Sequence, residues 1–304
     1  MHDLIIIGGG PAGLTAAIYA LRAKLDTLLI EKGVLGGQIA LSDVIENYPG
    51  FPSISGMALM EKFEEHAKGF GLRVKQAEVE SVSAEGDARV IKTSEGEFRA
   101  KAVIITTGAK PKSLGASGER EFIGKGVSYC ATCDGPFFRG LKVAVVGGGD
   151  TAVKEAVYLS KLASKVYLIH RRDKFRAEKI LQDKAFSTAN IETLRSHVLK
   201  EIQGSKNVTA AIVEDLKTSV KKTLDVEGVF IFTGIIPTTE FIDVEKDSKG
   251  FIKTNDRMET NIPGIFAAGD CRTTPLRQVS TAVGDGAIAA FVAEAYVENL
   301  GEKG

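Results

Sequence analysis

One pattern occurs twice in this chain, and its repetition limits the possible folds more than any other feature. In Asp3–Glu31 an apolar run, Leu4-Ile5-Ile6-Ile7, meets the turn Gly8-Gly9-Gly10-Pro11-Ala12-Gly13. A helix-compatible stretch follows, and the segment closes on Thr27-Leu28-Leu29-Ile30-Glu31. In Lys142–Arg172 the same order returns: Val143-Ala144-Val145-Val146, then Gly147-Gly148-Gly149-Asp150-Thr151-Ala152, a helix-compatible stretch, and Val166-Tyr167-Leu168-Ile169-His170. Gly8 precedes Glu31 by the same number of residues as Gly147 precedes His170. Continuous β-branched runs are what parallel strands buried on both faces require.

Such a glycine turn lets the backbone approach a pyrophosphate, and the helix behind it aims its positive end at the same group. A single glycine fingerprint is weak, because glycine turns are common. Two copies with matching strands and helices predict an α/β protein with two Rossmann-like dinucleotide-binding domains, each built on a parallel sheet with a smaller β layer. The competing reading is a pair of ordinary strand–helix turns that bind no nucleotide.

The two copies end differently. Glu31 is a carboxylate able to accept hydrogen bonds from ribose hydroxyls and would repel a 2′-phosphate, which predicts FAD in the first module. His170-Arg171-Arg172, with Arg176 beyond, is a cationic cluster matched to a 2′-phosphate, which predicts NADPH in the second. A solvated basic loop is the plainer alternative.

Other segments organise around these modules. Gly36-Gly37-Gln38 and Asn47-Tyr48-Pro49-Gly50-Phe51 follow the first copy, and residues 57–70 have an amphipathic helical pattern. The β-rich region after it ends in Thr106-Thr107-Gly108-Ala109, and Lys110-Pro111-Lys112-Ser113 reads as a linker. The tail carries Ala268-Gly269-Asp270, where Asp270 is either a ribose or ribityl acceptor or a helix cap. It is too short to fold alone and must complete the first module. The expected division is therefore 1–112 and 243–304 for the FAD domain, with 113–242 inserted as an NADPH domain.

The chain has three cysteines, too few for a disulfide framework. Two are vicinal, in Cys130-Ala131-Thr132-Cys133-Asp134. That spacing can close a small disulfide and depress a thiol pKa, with Asp134 placed to shuttle a proton. Zinc is the rival, but it wants two ligand pairs and this chain offers one pair and a distant Cys271, read as a buried small hydrophobe. His2, His66 and His197 have no recognisable context.

Formal net charge is zero, which gives no electrostatic support for nucleic-acid or membrane-surface binding. No apolar run reaches the ~20 residues of a membrane helix, and no targeting segment precedes Leu4, so a cytoplasmic location is expected.

Taken together, these motifs and Arg277-Gln278 resemble those of the low-molecular-weight thioredoxin reductases over essentially the whole length. The resemblance implies a homodimer with one FAD per subunit and electron flow from NADPH through FAD to Cys130–Cys133 and on to thioredoxin or a thioredoxin-like protein. It makes Cys133 the flavin-side sulfur, Cys130 the interchange thiol and Asp134 the acid–base group. The FAD set is then Gly8, Gly10, Pro11, Ala12, Gly13, Glu31, Gly37, Gln38, Asn47, Thr107, Gly108, Gly269, Asp270, Arg277 and Gln278. The NADPH set is Gly147, Gly149, Asp150, Thr151, His170, Arg171, Arg172 and Arg176. The family alternates between a pose with the disulfide at the flavin and one with NADPH there. Lys174, the Thr233–Thr239 stretch and Val279-Ser280-Thr281 depart from the usual pattern. A reductase serving a peroxiredoxin system or a glutaredoxin-like protein, a ferredoxin-fed relative, and a non-enzymatic redox sensor are the alternatives.

Overall fold

A computed structural model describes residues 1–42 and 44–301. The chain divides into two compact units, Met1–Lys110 with the described residues from Ile236 onward, and Pro111–Ile235.

In the first unit β1 (His2–Ile7), α1 (Pro11–Arg22) and β2 (Thr27–Glu31) are the first copy of the repeat. They are followed by α2 (Gly56–Gly69), β3 (Arg73–Gln76), β4 (Val79–Glu85), β5 (Ala88–Thr93), β6 (Gly96–Ile105) and β7 (Ala109–Pro111). The second unit contains β8 (Val127–Ser128), α3 (Ala131–Asp134), β9 (Lys142–Val146), α4 (Asp150–Leu159), β10 (Lys165–His170), α5 (Lys179–Ser187) and β11 (Ile191–Arg195). It continues with β12 (His197–Gly204), β13 (Val208–Asp215), β14 (Lys221–Asp225) and β15 (Gly228–Ile231). The return path carries β16 (Ile235–Pro237), β17 (Ile265–Ala267) and α6 (Val279–Gly301).

Each unit is built the same way. The first has a parallel sheet in the order β3-β2-β1-β6-β17, with β4 and β5 joining the first half of β6 as an antiparallel meander. The second has a parallel sheet in the order β11-β10-β9-β15-β8, with β12-β13-β14 as a separate antiparallel layer. Strand periodicity explains why these strands are apolar throughout. Leu4 and Ile6 face a cluster that includes Leu14, Ala16 and Ala289 on α1 and α6. Ile5 and Ile7 face the opposite layer, with Val82, Ile91, Ile242 and Ile252. In the second unit Val143 and Val145 pack with Val153 and Ala156 of α4, while Ala144 and Val146 pack with Leu199, Ala211 and Val213 of the meander.

The return crossing lies at 235–236, earlier than the residue 242 expected from sequence. The reason is packing: Ile242 is buried in the first unit's core and bridges to Val82. The outward crossing falls at 110–111 instead of 112–113, and the crossing segments β7 and β16 pair as a two-stranded ribbon. Among the described residues no helix is long and apolar enough to cross a membrane.

Helices α1 and α6 meet closely because Gly286 lacks a side chain: a Cβ there would overlap the carbonyl oxygen of Ala12. Gly286→Ala is therefore expected to lower the unfolding free energy by about 1–3 kcal/mol, read from denaturant midpoints, since backbone cannot yield as a side-chain tip can. An unchanged midpoint would show that the helices separate freely.

Candidate functional site

In the first unit the turn after β1 is held open by backbone geometry. Gly8 sits at φ +109°, and a Cβ on Gly13 would overlap the Gly8 carbonyl oxygen, so both positions require glycine. Helix α1 begins at Pro11 with Gly10 as N-cap, without a side-chain cap or an acid in its first turn. Its positive end is left for an external anion. Glu31, at the end of β2, accepts from the backbone N–H of Gly9 (2.8 Å) and of Gly33 (2.9 Å). Two donors fix the carboxylate and leave it further acceptor capacity.

Among the other first-unit candidates, Gly37, Thr107 and Gly269 lie against this turn or the start of α1. Gly36 donates its N–H to the Gly9 carbonyl at 2.8 Å, and Gly37 sits against Gly10, opening the short 3₁₀ turn that holds Gln38. Gly269 packs on Ala12, after β17. Asn47 Nδ2 donates to Gln278 Oε1 at 3.0 Å. Thr107 Oγ1 donates to the Thr238 carbonyl at 2.5 Å, and Gly108 turns the chain at φ +66°. Arg277 lies over the Phe251 ring, 4.2 Å from its centroid, with Nε buried and no hydrogen-bond partner.

Sequence reasoning missed the pair that holds the Gly269–Asp270 turn. Arg272 Nε and Nη2 each donate to the Asp285 carboxylate at 2.8 Å, and Asp285 Oδ2 also accepts the Gly269 N–H at 3.0 Å. Both side chains are largely buried. A signal was present: Gly284-Asp285-Gly286 places two poor helix formers around an acid inside α6, a pattern that propensity alone disfavours.

Asp270 is pushed up to about 6, chiefly by burial and further by Asp285, against the opposing charge of Arg277. A carboxylate so placed gains from hydroxyl donors.

In the second unit Gly147–Gly149 make the corresponding turn ahead of α4. The basic segment after β10 folds back onto it. Arg176 and Ala177 both donate their N–H to the Gly148 carbonyl, at 2.7 and 3.2 Å. Asp150, at the head of α4 beside Thr151, accepts the Glu178 N–H at 2.8 Å, which ties the loop to the start of the helix. Asp173 is tied to Ser196 Oγ (2.5 Å) and Lys217 Nζ (2.6 Å). Turn and loop thus form one hydrogen-bonded body.

His170 departs from its expected place among the exposed cations. It is buried behind Gly148, where a Cβ would run into its ring, and it stacks on Phe175 with a 5.1 Å centroid separation. Burial lowers its pKa, which the three neighbouring arginines reinforce although the Lys174 carbonyl opposes it. It supports the loop as a neutral ring, whereas Arg171, Arg172 and Arg176 are exposed.

Cys130 and Cys133 form a disulfide with Cα atoms 5.3 Å apart, directly after β8. Ser128 Oγ accepts the Cys130 N–H (3.0 Å) and donates to the Cys130 carbonyl (3.2 Å), clamping that residue's backbone. The Cys133 N–H donates to Cys130 Sγ at 3.2 Å. Asp134, at the end of α3, donates its backbone N–H to the Cys130 carbonyl at 3.1 Å, and its side chain is half-buried. Cys271 is fully buried in the first unit, its thiol pushed up to about 12 by burial. It cannot serve as a thiolate near neutral pH. Among the described residues no cluster of three or more histidine, cysteine or acidic side chains could hold a metal ion.

Asp270 gives a pH signature. Its folded pKa of about 6 exceeds the ordinary 3.8, so its stabilising contribution is complete below the ordinary value and is lost as pH rises through about 6. In protein stripped of nucleotide, Asp270→Asn should gain stability relative to the parent between about pH 4 and 7, by up to roughly 3 kcal/mol. A difference that does not change with pH, measured by denaturant unfolding, would contradict this placement.

Residues 2–286 match the family model described as pyridine nucleotide-disulphide oxidoreductase. The chain is 48% identical to the thioredoxin reductase of Bacillus subtilis strain 168 over 99% of its own length and 96% of the relative's. It is 46% identical to that of Listeria monocytogenes EGD-e, again over 99% and 96%. The crystal structure of thioredoxin reductase from Streptococcus pyogenes MGAS5005 superposes with a TM-score of 0.95 at 46% identity, covering 98% of this chain and 99% of that one. With two glycine-turn sheets and a vicinal disulfide already in place, the chain belongs to the pyridine nucleotide-disulphide oxidoreductase family, and within it to the thioredoxin reductases.

Proposed function

We propose that the protein transfers electrons from NADPH, through one FAD per chain, to the Cys130–Cys133 disulfide, and from there to the disulfide of thioredoxin. The observation that carries the reading is the disulfide itself, set at the carboxyl edge of the second unit's sheet, where a doubly wound fold gathers its ligand chemistry.

FAD fits the first unit. The uncapped start of α1, with Gly10, Pro11, Ala12 and Gly13, would take the pyrophosphate. Glu31, oriented by two backbone donors, would accept from the ribose hydroxyls. Asp270 would accept from the ribityl chain, whose hydroxyls supply the donors its burial calls for. Gly37, Gln38, Asn47, Thr107, Gly108, Gly269, Arg277 and Gln278 would line the remainder. When bound, FAD supplies the two-electron acceptor between nicotinamide and disulfide.

NADPH fits the second unit. Gly147, Gly149 and Thr151 would face the pyrophosphate, with Asp150 acting indirectly through the loop it anchors. Arg171, Arg172 and Arg176 would hold the 2′-phosphate on a loop that is already ordered, which limits the entropy lost on binding.

The two sulfurs have different surroundings. The Cys133 N–H points at Cys130 Sγ, so a thiolate forming on Cys130 finds a donor in place. That supports Cys130 as the nucleophile toward the partner's disulfide and Cys133 as the sulfur facing the flavin. Asp134, next in the chain to Cys133 and bonded through its backbone N–H to the Cys130 carbonyl, would deliver the proton that the departing sulfur takes up. We also propose that the chain works as a homodimer.

The test is a half-reaction comparison. Cys130→Ser should keep NADPH-driven bleaching of the flavin absorbance, with NADH a poor substitute, and lose thioredoxin reduction entirely. Retained thioredoxin reduction in the variant would overturn the assignment.

A further inference from the structure

Glu119 is a buried acid that the reaction described above does not use. It is 1% exposed and its carboxylate accepts four hydrogen bonds: from Ser113 Oγ (3.0 Å), the N–H groups of Leu114 (2.9 Å) and Gly115 (2.7 Å), and Tyr129 Oη (2.7 Å). Burial alone would raise its pKa, yet these donors hold it below the ordinary value, so it stays ionised. Tyr129 immediately precedes Cys130, and its ring packs into the cluster that contains Leu114, Ala116 and the meander side chains. Its hydroxyl is held as a donor, since burial and then the Glu119 charge raise its pKa. Ser113–Gly115 lie just beyond β7, and Lys112 before them is bonded to Gly234 (N–H to carbonyl, 2.9 Å) and to Thr233 (Oγ1 to carbonyl, 2.7 Å).

We infer that Glu119 and Tyr129 form a clamp that positions Cys130 for disulfide closure, tying the residue before the redox pair to the chain segment that enters the second unit. This rests on the proposed role of Cys130–Cys133 and adds to it two residues that touch neither substrate nor cofactor. Each acts through another group: Glu119 through the Tyr129 hydroxyl, Tyr129 through the backbone it shares with Cys130. Ser128 Oγ clamps the same backbone at both the N–H and the carbonyl of Cys130. Held so, Cys130 Sγ meets Cys133 at high effective concentration, which favours the disulfide over the dithiol.

The test uses the flavin-loaded enzyme without NADPH, equilibrated in glutathione buffers of stepped ratio. Two glutathione thiols reduce the Cys130–Cys133 disulfide to two thiols and leave as glutathione disulfide, so two electrons and two protons are conserved. Alkylation and mass measurement then give the oxidised fraction. Tyr129→Phe keeps the ring and removes the hydroxyl. It should lower the equilibrium constant for disulfide formation about three- to tenfold, the size expected for losing part of one hydrogen bond to a charged acceptor. Glu119→Gln should shift it in the same direction by at least as much. NADPH-driven flavin reduction should be unchanged in Tyr129→Phe, which separates this claim from the assignment of the cysteines. A constant in Tyr129→Phe within twofold of the parent overturns the clamp, whatever happens to its melting temperature. If Glu119→Gln does not fold, Tyr129→Phe decides alone.

Discussion

Both parallel sheets are covered on both faces, and this burial determines where polar chemistry can appear. Side chains at the centre of β1 or β9 alternate between a helical layer and a β layer, and neither face is free. Polar groups are therefore displaced to the strand ends. At the carboxyl edges the chain turns through glycines, helices present their N-termini, and charged side chains find backbone donors. Glu31 on Gly9, and the backbone of Arg176 and Ala177 on Gly148, each tie a glycine turn to a neighbouring segment: a carboxylate accepts from one turn's amide, and two loop amides donate to the other turn's carbonyl.

The repeat runs deeper than the glycine fingerprints. In the first unit the fifth parallel strand is β17, and it leads into Gly269–Asp270. In the second the equivalent place is filled by β8, and it leads into Cys130. The fold thus assigns the buried acid of one unit and the disulfide of the other to matching positions, each just beyond an outer strand of its parallel sheet. The supports differ accordingly. The Arg272–Asp285 pair holds the Gly269 amide, while Ser128 holds both backbone groups of Cys130. A buried ion pair adds little net stability over apolar packing, but it penalises any arrangement that separates its members, and that suits a turn whose geometry must not drift.

Much of this is legible in the sequence because strong local signals carry it. The β-branched runs of β1 and β9, the glycine turns and the vicinal cysteines each have a period or spacing with one physical meaning. What the sequence conceals depends on tertiary contact. Strand β8 is two residues long and shows no periodicity, so the place of the cysteines in the sheet could not be read. His170 looked like a phosphate cation because its neighbours are arginines, yet Gly148 leaves a space that the ring fills. Glu119 lies in a run of charged residues, and nothing local distinguishes it from Glu121, although one is buried under four donors and the other is exposed. The return boundary was missed because Ile242 belongs by packing to a core far from it in sequence.

If electrons pass from flavin to disulfide as proposed, the chain holds two redox centres in one path. Anaerobic titration of the oxidised protein with dithionite, followed through the flavin absorbance, measures this directly. Uptake of about four electrons per chain is expected, two at each centre, falling to about two in Cys133→Ala. Uptake of only about two electrons by the parent, matching the variant, would contradict it.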